Sequence, residues 1–253
     1  NFHRDNRGQL DLMPTFDNQK MLCEILNGKD NYLVFNGVNI ITLRLVLAQE
    51  AFRKLQQYES DMKAKPGEYN VNYEVTGIAS SVHVLKPVPG IIGEIIERQA
   101  IIPHKYFYAF LTSIVSVLDR LAHEINDLYQ LNSDINRLDW RYLCRPSSTL
   151  NRSSPELEQY LNQNNGSSSP TIALLFGFRD KAEHFGAVKI EEFFDRTVTI
   201  DDNYTIKVQS NPRDPASGTD LELIKMCREF FELGTKICDD VYGLRIAHFS
   251  GSL

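Results

Sequence analysis

The sequence predicts a mainly α-helical protein: a bundle of four to five helices with β-strands and a hairpin inserted between them. Three long segments carry apolar side chains at helical spacing, and two stretches between them alternate as strands do. Because 253 residues can bury a sizeable core, we predict a single domain over residues 1–253. Its core bundle is expected at about residues 39–244, with β insertions near 69–90 and 188–209.

The three long helices are predicted from apolar stripes and from the residues at their ends. Asn39 is suited to cap a first helix that runs to about Lys63. A second is expected from Pro103 to Leu131 and the last from about Thr219 to Leu244. The first is expected to bury Ile40, Leu43, Val46, Leu47, Phe52, Leu55 and Tyr58. The second is expected to bury Phe107, Phe110, Leu111, Ile114, Leu118, Leu121, Ile125 and Leu128, and the last Leu223, Cys227, Phe230, Phe231, Ile237, Val241 and Leu244.

Shorter helical elements are expected between the second and last of these helices. A helical piece is predicted at residues 133–143, and one or two turns at residues 155–163. Ser169 followed by Pro170 is typical of a helix start, and Gly186 of a helix stop. These signals predict a further helix between them.

The β insertions are predicted from alternation. Residues 69–86 indicate one or two strands, and residues 188–209 indicate a hairpin. On the hairpin, Val198 and Ile200 alternate on one arm and Ile206 and Val208 on the other. The sequence Asp-Asp-Asn at residues 201–203 would supply the turn.

Composition and motif content exclude several classes of function. The net charge of −6 argues against a protein that coats nucleic acid by bulk electrostatics, although a local basic groove remains compatible with it. The four cysteines are scattered without a CxxC pair, so we expect small buried side chains rather than a zinc site or disulfides. The chain has no P-loop, GxGxxG, HExxH or GxSxG motif, and we predict no cofactor and no metal. No long apolar run or leader-like N-terminal segment is present, which predicts a cytoplasmic protein without membrane contact.

The stretch FGFRDKAEHFG, Phe176–Gly186, holds the candidate catalytic residues Arg179, Asp180 and His184. In a regular helix Arg179 and His184 would point roughly 140° apart, so they cannot converge within one chain. A structural alternative is that Arg179 pairs with Glu183, and Asp180 with His184, on an exposed face. Divergent groups can still line one cleft if a two-fold axis places a second copy opposite. A functional interpretation of this motif therefore requires a homodimer.

The motif resembles the signature of the HEPN superfamily, in which an arginine, a short spacer with a polar first residue and a histidine lie on one helix of a four-to-five-helix bundle. Arg179, Asp180 and His184 match that pattern. The resemblance implies a metal-independent endoribonuclease with a composite site at a homodimer interface, in the manner of a toxin or defence effector that a protein antitoxin can neutralise. His184 would exchange protons with the ribose 2′-hydroxyl or the leaving 5′-oxygen, Arg179 would stabilise the phosphate, and Asp180 would orient one of them.

The family pattern allows four to six residues between the arginine and the histidine, and a second pair, Arg98 and His104, also satisfies it. Pro103 lies between them, where a continuous helix is not expected. Spacing alone is therefore a weak criterion, and the helical context favours Arg179 and His184.

A basic stretch with an interleaved tryptophan is the candidate RNA-binding surface. Arg137, Arg141 and Arg145 recur every fourth residue and would form one stripe on a helix, with Trp140 beside it. Such a stripe suits phosphates and unstacked bases. The alternative is that the arginines pair with neighbouring acids while the aromatic side chains pack in the core.

Asp119 and His123, four residues apart on the second long helix, form a candidate supporting pair. They could serve as a metal or acid/base pair in a metal-dependent hydrolase, but no third ligand is evident. They could also support the Arg179 and His184 cleft, or be an ordinary helical surface pair.

A rival hypothesis assigns no catalysis to the chain. A helical homodimer could use the surface around Arg179 and His184 to bind a nucleotide, RNA or a protein partner. The net negative charge is compatible with this alternative.

Overall fold

The computed structural model describes only part of the chain, and the statements that follow concern that part. The described residues are 3–4, 10–11, 34–35, 38–64, 73–75, 82–87, 102–129, 131, 135–145, 155–184, 188, 190–195, 204–212, 214 and 217–250. Several features predicted from the sequence lie outside them: the helix stop at Gly186, the hairpin residues Val198 and Ile200, the turn at residues 201–203, and the residues Cys23 and Arg98.

The described part of the chain is mainly helical, as predicted, and contains six α-helices. They are α1 (Ile40–Ala64), α2 (Ile102–Leu128), α3 (Trp140–Leu143), α4 (Pro155–Gln163), α5 (Pro170–His184) and α6 (Leu223–Ser250), with a 3-10 helix at Ile135–Arg137. None of the described helices combines the length and apolarity that crossing a bilayer requires.

The strands are short and all of their described pairings are antiparallel. They are β1 (His3–Arg4), β2 (Leu10–Asp11), β3 (Val34–Phe35), β4 (Val38–Asn39), β5 (Tyr73–Val75), β6 (Val82–Pro87), β7 (Ile190–Asp195), β8 (Tyr204–Gln209) and β9 (Asp220–Glu222). β1 pairs with β2 and β3 with β4, and the others form one sheet in the order β5-β6-β7-β8-β9.

The hairpin predicted at residues 188–209 is confirmed as β7 and β8. Ile190 lies opposite Val208 and Phe194 opposite Tyr204. Tyr204, Ile206 and Val208 are buried and the residues between them are half-buried, which is the alternation expected of a strand with one covered face. The described first arm lies at residues 190–195, earlier than the segment of Val198 and Ile200 on which the prediction rested.

Two compact units are distinguished within the chain. One comprises residues 1–47, 113–173 and 231–253, and the other residues 48–112 and 174–230. Helices α1, α2, α5 and α6 each contribute residues to both units. The single domain predicted over residues 1–253 stays a prediction.

The first unit contains α3 and α4, and both bury apolar side chains. Trp140 and Leu143 are fully buried on α3, as are Leu157 and Leu161 on α4. The Trp140 indole Nε1 donates a hydrogen bond to the Asn164 carbonyl at 3.2 Å, so the ring is buried with its polar atom satisfied.

The second unit contains a cluster of buried aromatic side chains. Phe178 of α5 lies 5.6 Å from Phe107 and 6.5 Å from Phe230, measured between ring centroids, in edge-on arrangements. Phe52 and Phe110 are 6.0 Å apart. All five rings are buried, so the face of α5 that carries Phe178 is fixed against the core.

The predicted buried faces are confirmed for α2 and only in part for α1. The predicted α2 residues from Phe107 to Ile125 are buried. On α1, however, Leu43 and Leu47 are 44% exposed, whereas Ile41, Leu45 and Ala48 are buried. The apolar run at the start of α1 covers more than one face, so periodicity did not distinguish the stripe that packs.

The last helix starts later than predicted and runs further. Residues 220–222 form β9, which pairs with β8, and α6 then extends from Leu223 to Ser250. Its predicted stripe is buried except for the half-buried Leu244. Cys144, Cys227 and Cys238 are buried and free of disulfides, as expected, and burial raises the pKa of the Cys227 and Cys238 thiols.

Candidate functional site

Helix α5 positions the residues of the arginine–histidine motif. The helix starts as the sequence predicts, because the Ile172 amide donates to Ser169 Oγ at 3.4 Å and Pro170 is the first helical residue. Leu175 and Phe178 are buried and fix the rotation of the helix. The motif therefore occupies the last two turns, with His184 as the final helical residue.

Arg179 is held in place on three sides. Its Nε lies 3.2 Å from Asp180 Oδ1, and its Nη1 donates to Glu183 Oε2 at 3.1 Å. The guanidinium carbon lies over the Phe176 ring, 5.5 Å from the centroid. Only 15% of the Arg179 side chain is exposed, so the position of its guanidinium group is fixed by its neighbours.

Glu183 joins the arginine to the histidine. The same oxygen, Oε2, lies 3.1 Å from Arg179 Nη1 and 3.8 Å from His184 Nε2. The expected pairing of Arg179 with Glu183 is confirmed, and Glu183 also lies beside His184. Sequence reasoning treated Glu183 only as a surface ion-pair partner; its position next to both motif residues was the missed signal.

The side chains of Arg179 and His184 differ in exposure, as expected for residues that point in different directions from one helix. His184 has 63% of its side chain exposed, against 15% for Arg179, and Asp180 is buried at 7%. A single chain thus presents the imidazole to solvent and keeps the guanidinium against the protein. Asp180 lies within ion-pair distance of Arg179.

The chain that follows α5 is tied to the start of α2 within the same unit. The Val188 amide donates to the Tyr108 hydroxyl at 2.9 Å, and His104 Nε2 lies 2.9 Å from the Val188 carbonyl oxygen. Because a carbonyl can only accept, Nε2 must carry the proton. His104, the histidine of the second spacing match, therefore anchors the backbone four residues beyond His184.

The structure does not support the basic stripe predicted on one helix. Arg137 belongs to the 3-10 helix, and Arg145 follows the cap of the four-residue α3. The Asp139 side chain accepts from the Tyr142 amide at 2.6 Å and starts α3 there, after Arg137. The three arginines consequently do not share a helical face.

Trp140 is unavailable for stacking on a base. Its side chain is fully buried, as the alternative interpretation of this stretch expects. Arg141 lies 3.8 Å from Asp139, while Arg137 and Arg145 are exposed. Of the predicted RNA-binding residues, the arginines alone remain accessible to a ligand.

Asp119 has a structural partner in the first unit. Its Oδ1 accepts a hydrogen bond from the Trp140 amide at 3.0 Å, which satisfies a donor at the start of α3. His123 is half-buried on the same helix. Across the described ranges, no group of three or more His, Cys, Asp or Glu side chains is placed to hold a metal ion.

A buried charge network, which sequence reasoning missed, links α2 to α6 in the first unit. Glu124 Oε2 accepts hydrogen bonds from Arg245 Nη1 at 2.9 Å and from the Tyr242 hydroxyl at 3.3 Å. Both ionic side chains are at most 1% exposed. Burial raises the pKa of the Glu124 carboxyl to about 7, although the Arg245 charge acts in the opposite direction. The available signal was a charged residue on the apolar stripe of each helix.

Comparison of the chain with protein-family models, with curated proteins and with solved structures gives no match. The candidate site is therefore defined by side-chain geometry. It consists of Arg179, Asp180, Glu183 and His184, which lie together at the end of α5.

Proposed function

We propose that the protein is a HEPN-like, metal-independent endoribonuclease that acts as a homodimer. The observation that carries this proposal is the continuous contact from anchored Arg179 through Glu183 to exposed His184. Arg179 supplies a fixed cation that can bind a phosphate. His184, the residue after Glu183, supplies a side chain suited to proton transfer.

The reaction that fits these groups is attack of the ribose 2′-hydroxyl on the adjacent phosphorus. The bond from phosphorus to the 2′-oxygen forms and the bond to the 5′-oxygen breaks, which leaves a 2′,3′-cyclic phosphate and a 5′-hydroxyl end. One imidazole accepts the 2′-hydroxyl proton and another donates a proton to the leaving oxygen. Arg179 stabilises the negative charge that grows on the phosphate.

The requirement for two imidazoles leads to the homodimer. Each chain contributes one exposed His184 at the end of α5, so a two-fold axis near that end would bring two copies to one phosphodiester. The exposed Arg137 and Arg145 are candidates to contact RNA phosphates. A role as a toxin or defence effector, restrained by a protein antitoxin in the cytoplasm, is part of the same proposal.

Cleavage of RNA in the presence of a chelator tests this function. We expect wild-type protein to cut RNA but not DNA of the same sequence, because DNA lacks the attacking hydroxyl. His184→Ala and Arg179→Ala should each reduce the cleavage rate by about 10²-fold or more. Lys181→Ala, on the same helix, is the matched control and should retain the wild-type rate.

Equal cleavage by wild type and by both motif variants would contradict the assignment, as would the absence of cleavage by any of them. Activity that disappears with chelator would instead indicate a metal-dependent hydrolase, for which Asp119 and His123 are the sequence candidates.

A second candidate function is a dimer that binds a partner through this surface without catalysis. It is favoured by the charge of the cluster, in which two carboxylates, Asp180 and Glu183, face one guanidinium. Such a cluster complements a basic partner better than it complements RNA. Dimerisation without cleavage of any RNA would support this alternative.

A further inference from the structure

The two carboxylates that hold Arg179 differ in burial. The Asp180 side chain is 11% exposed and lies 3.2 Å from Nε, whereas the Glu183 side chain is 40% exposed and accepts from Nη1. Phe176 is buried beneath the guanidinium. Removing Glu183 would thus leave Arg179 supported by Asp180 and Phe176.

The edge of the guanidinium that Glu183 occupies is the edge that a phosphate would use. Arginine binds carboxylate and phosphate through the same planar set of N–H donors. Nε and Nη2 of Arg179 are both buried and make no hydrogen bond to a described residue, so the hydrogen bond that the guanidinium makes to its carboxylate neighbours is the one from Nη1 to Glu183. A phosphate that approaches Nη1 must first replace the Glu183 carboxylate.

We propose that Glu183 is an internal competitor for the phosphate site on Arg179, and that a bound phosphate monoester or diester displaces its side chain toward solvent and His184. The proposal rests on the proposed function for the identity of the natural ligand, an RNA phosphodiester. Displacement keeps Asp180 and Phe176 in contact with Arg179, so the cation stays oriented while its ligand changes. Glu183 is therefore a positioning residue that sets phosphate affinity, not a proton-transfer group.

Phosphate binding to the full chain, without any cleavage, tests the competitor directly. The probes are inorganic phosphate and adenosine 3′-monophosphate, followed through the Arg179 Nε–H NMR resonance, which Arg179→Lys identifies. In Glu183→Gln we expect binding about two- to fivefold tighter than in wild type, the range set by loss of a partly exposed ion pair. Glu229→Gln removes the same charge from an exposed position on α6 and should leave the affinity unchanged.

Asp180→Asn separates the two carboxylates. Because Asp180 anchors the guanidinium, this variant should bind phosphate no more tightly than wild type. Equal affinities of Glu183→Gln and wild type would overturn the proposal. An equal gain in phosphate affinity in Asp180→Asn and Glu183→Gln would overturn the proposal as well. Both acids would then act only by making the electrostatic potential at Arg179 more negative.

Cleavage assays distinguish failure of this proposal from failure of the proposed function. If RNA is cut, Glu183→Gln should lower KM by the same factor as the phosphate Kd, and an unchanged KM would contradict the competitor. Tighter phosphate binding by Glu183→Gln without RNA cleavage by any form would support the competitor and contradict the ribonuclease.

Discussion

Glu124 illustrates at the scale of a residue how burial determines the charge of a carboxyl group. Its side chain is 1% exposed and lies 2.9 Å from the buried Arg245 guanidinium. Loss of hydration outweighs this attraction and raises its pKa from 4.5 to about 7. Between pH 4.5 and 7, Glu124 therefore keeps its proton in the folded protein, whereas it has lost that proton in the unfolded chain. The resulting contribution to stability is full below about pH 4.5 and is lost as the pH rises to about 7.

Replacing Glu124 with glutamine should remove this pH dependence. Between pH 4.5 and 7.5, the free energy of unfolding of wild type should fall relative to that of Glu124→Gln by on the order of 3 kcal/mol. Urea unfolding of both proteins across this range measures the difference, with Glu229→Gln as the exposed control. Parallel pH profiles for wild type and Glu124→Gln would show that Glu124 does not take up a proton on folding.

At the scale of elements, the sequence predicted α2 and α5 well. The apolar stripe predicted α2, and Ser169 followed by Pro170 predicted the start of α5. The basic stripe failed for a local reason. Asp139 caps α3 at Trp140, so the helix is too short to align Arg137 with Arg145. Helical periodicity gave no indication that the Asp139 side chain and Asp119 on α2 would both bond to this one turn. Such a tertiary contact depends on residues far apart in the sequence.

Removing the cap should weaken α3. Asp139→Ala loses the acceptor of the Tyr142 amide, and we expect the free energy of unfolding to fall by about 1 kcal/mol. Arg141→Ala removes the 3.8 Å ion pair with Asp139 but leaves the cap in place, so it is the matched control, with an expected effect below about 0.5 kcal/mol. Urea denaturation measures both variants. If the free energy of unfolding falls equally in the two variants, Asp139 stabilises the protein through the ion pair and not through the cap.

At the scale of the whole molecule, the sequence predicted a mainly helical protein with antiparallel β insertions, and both features are confirmed in the described residues. It also anticipated that Arg179 and His184 would diverge on α5. It could not identify Glu183 as their common neighbour, because rotamers at a helix end depend on the packing beneath them. The proposed dimer interface would involve a second copy of the chain, and neither spacing nor composition specifies how two copies would meet.

We propose that two copies of His184 act on one phosphodiester, and subunit mixing tests this proposal most directly. If the protein is the homodimer that we propose, wild-type chains co-expressed with His184→Ala should form mixed dimers whose shared site holds a single His184. At equal amounts of the two chains, we predict that RNA cleavage per wild-type chain falls by about half, and further as the variant is added in excess. Cleavage per wild-type chain that stays constant at every ratio would contradict a site shared between two subunits.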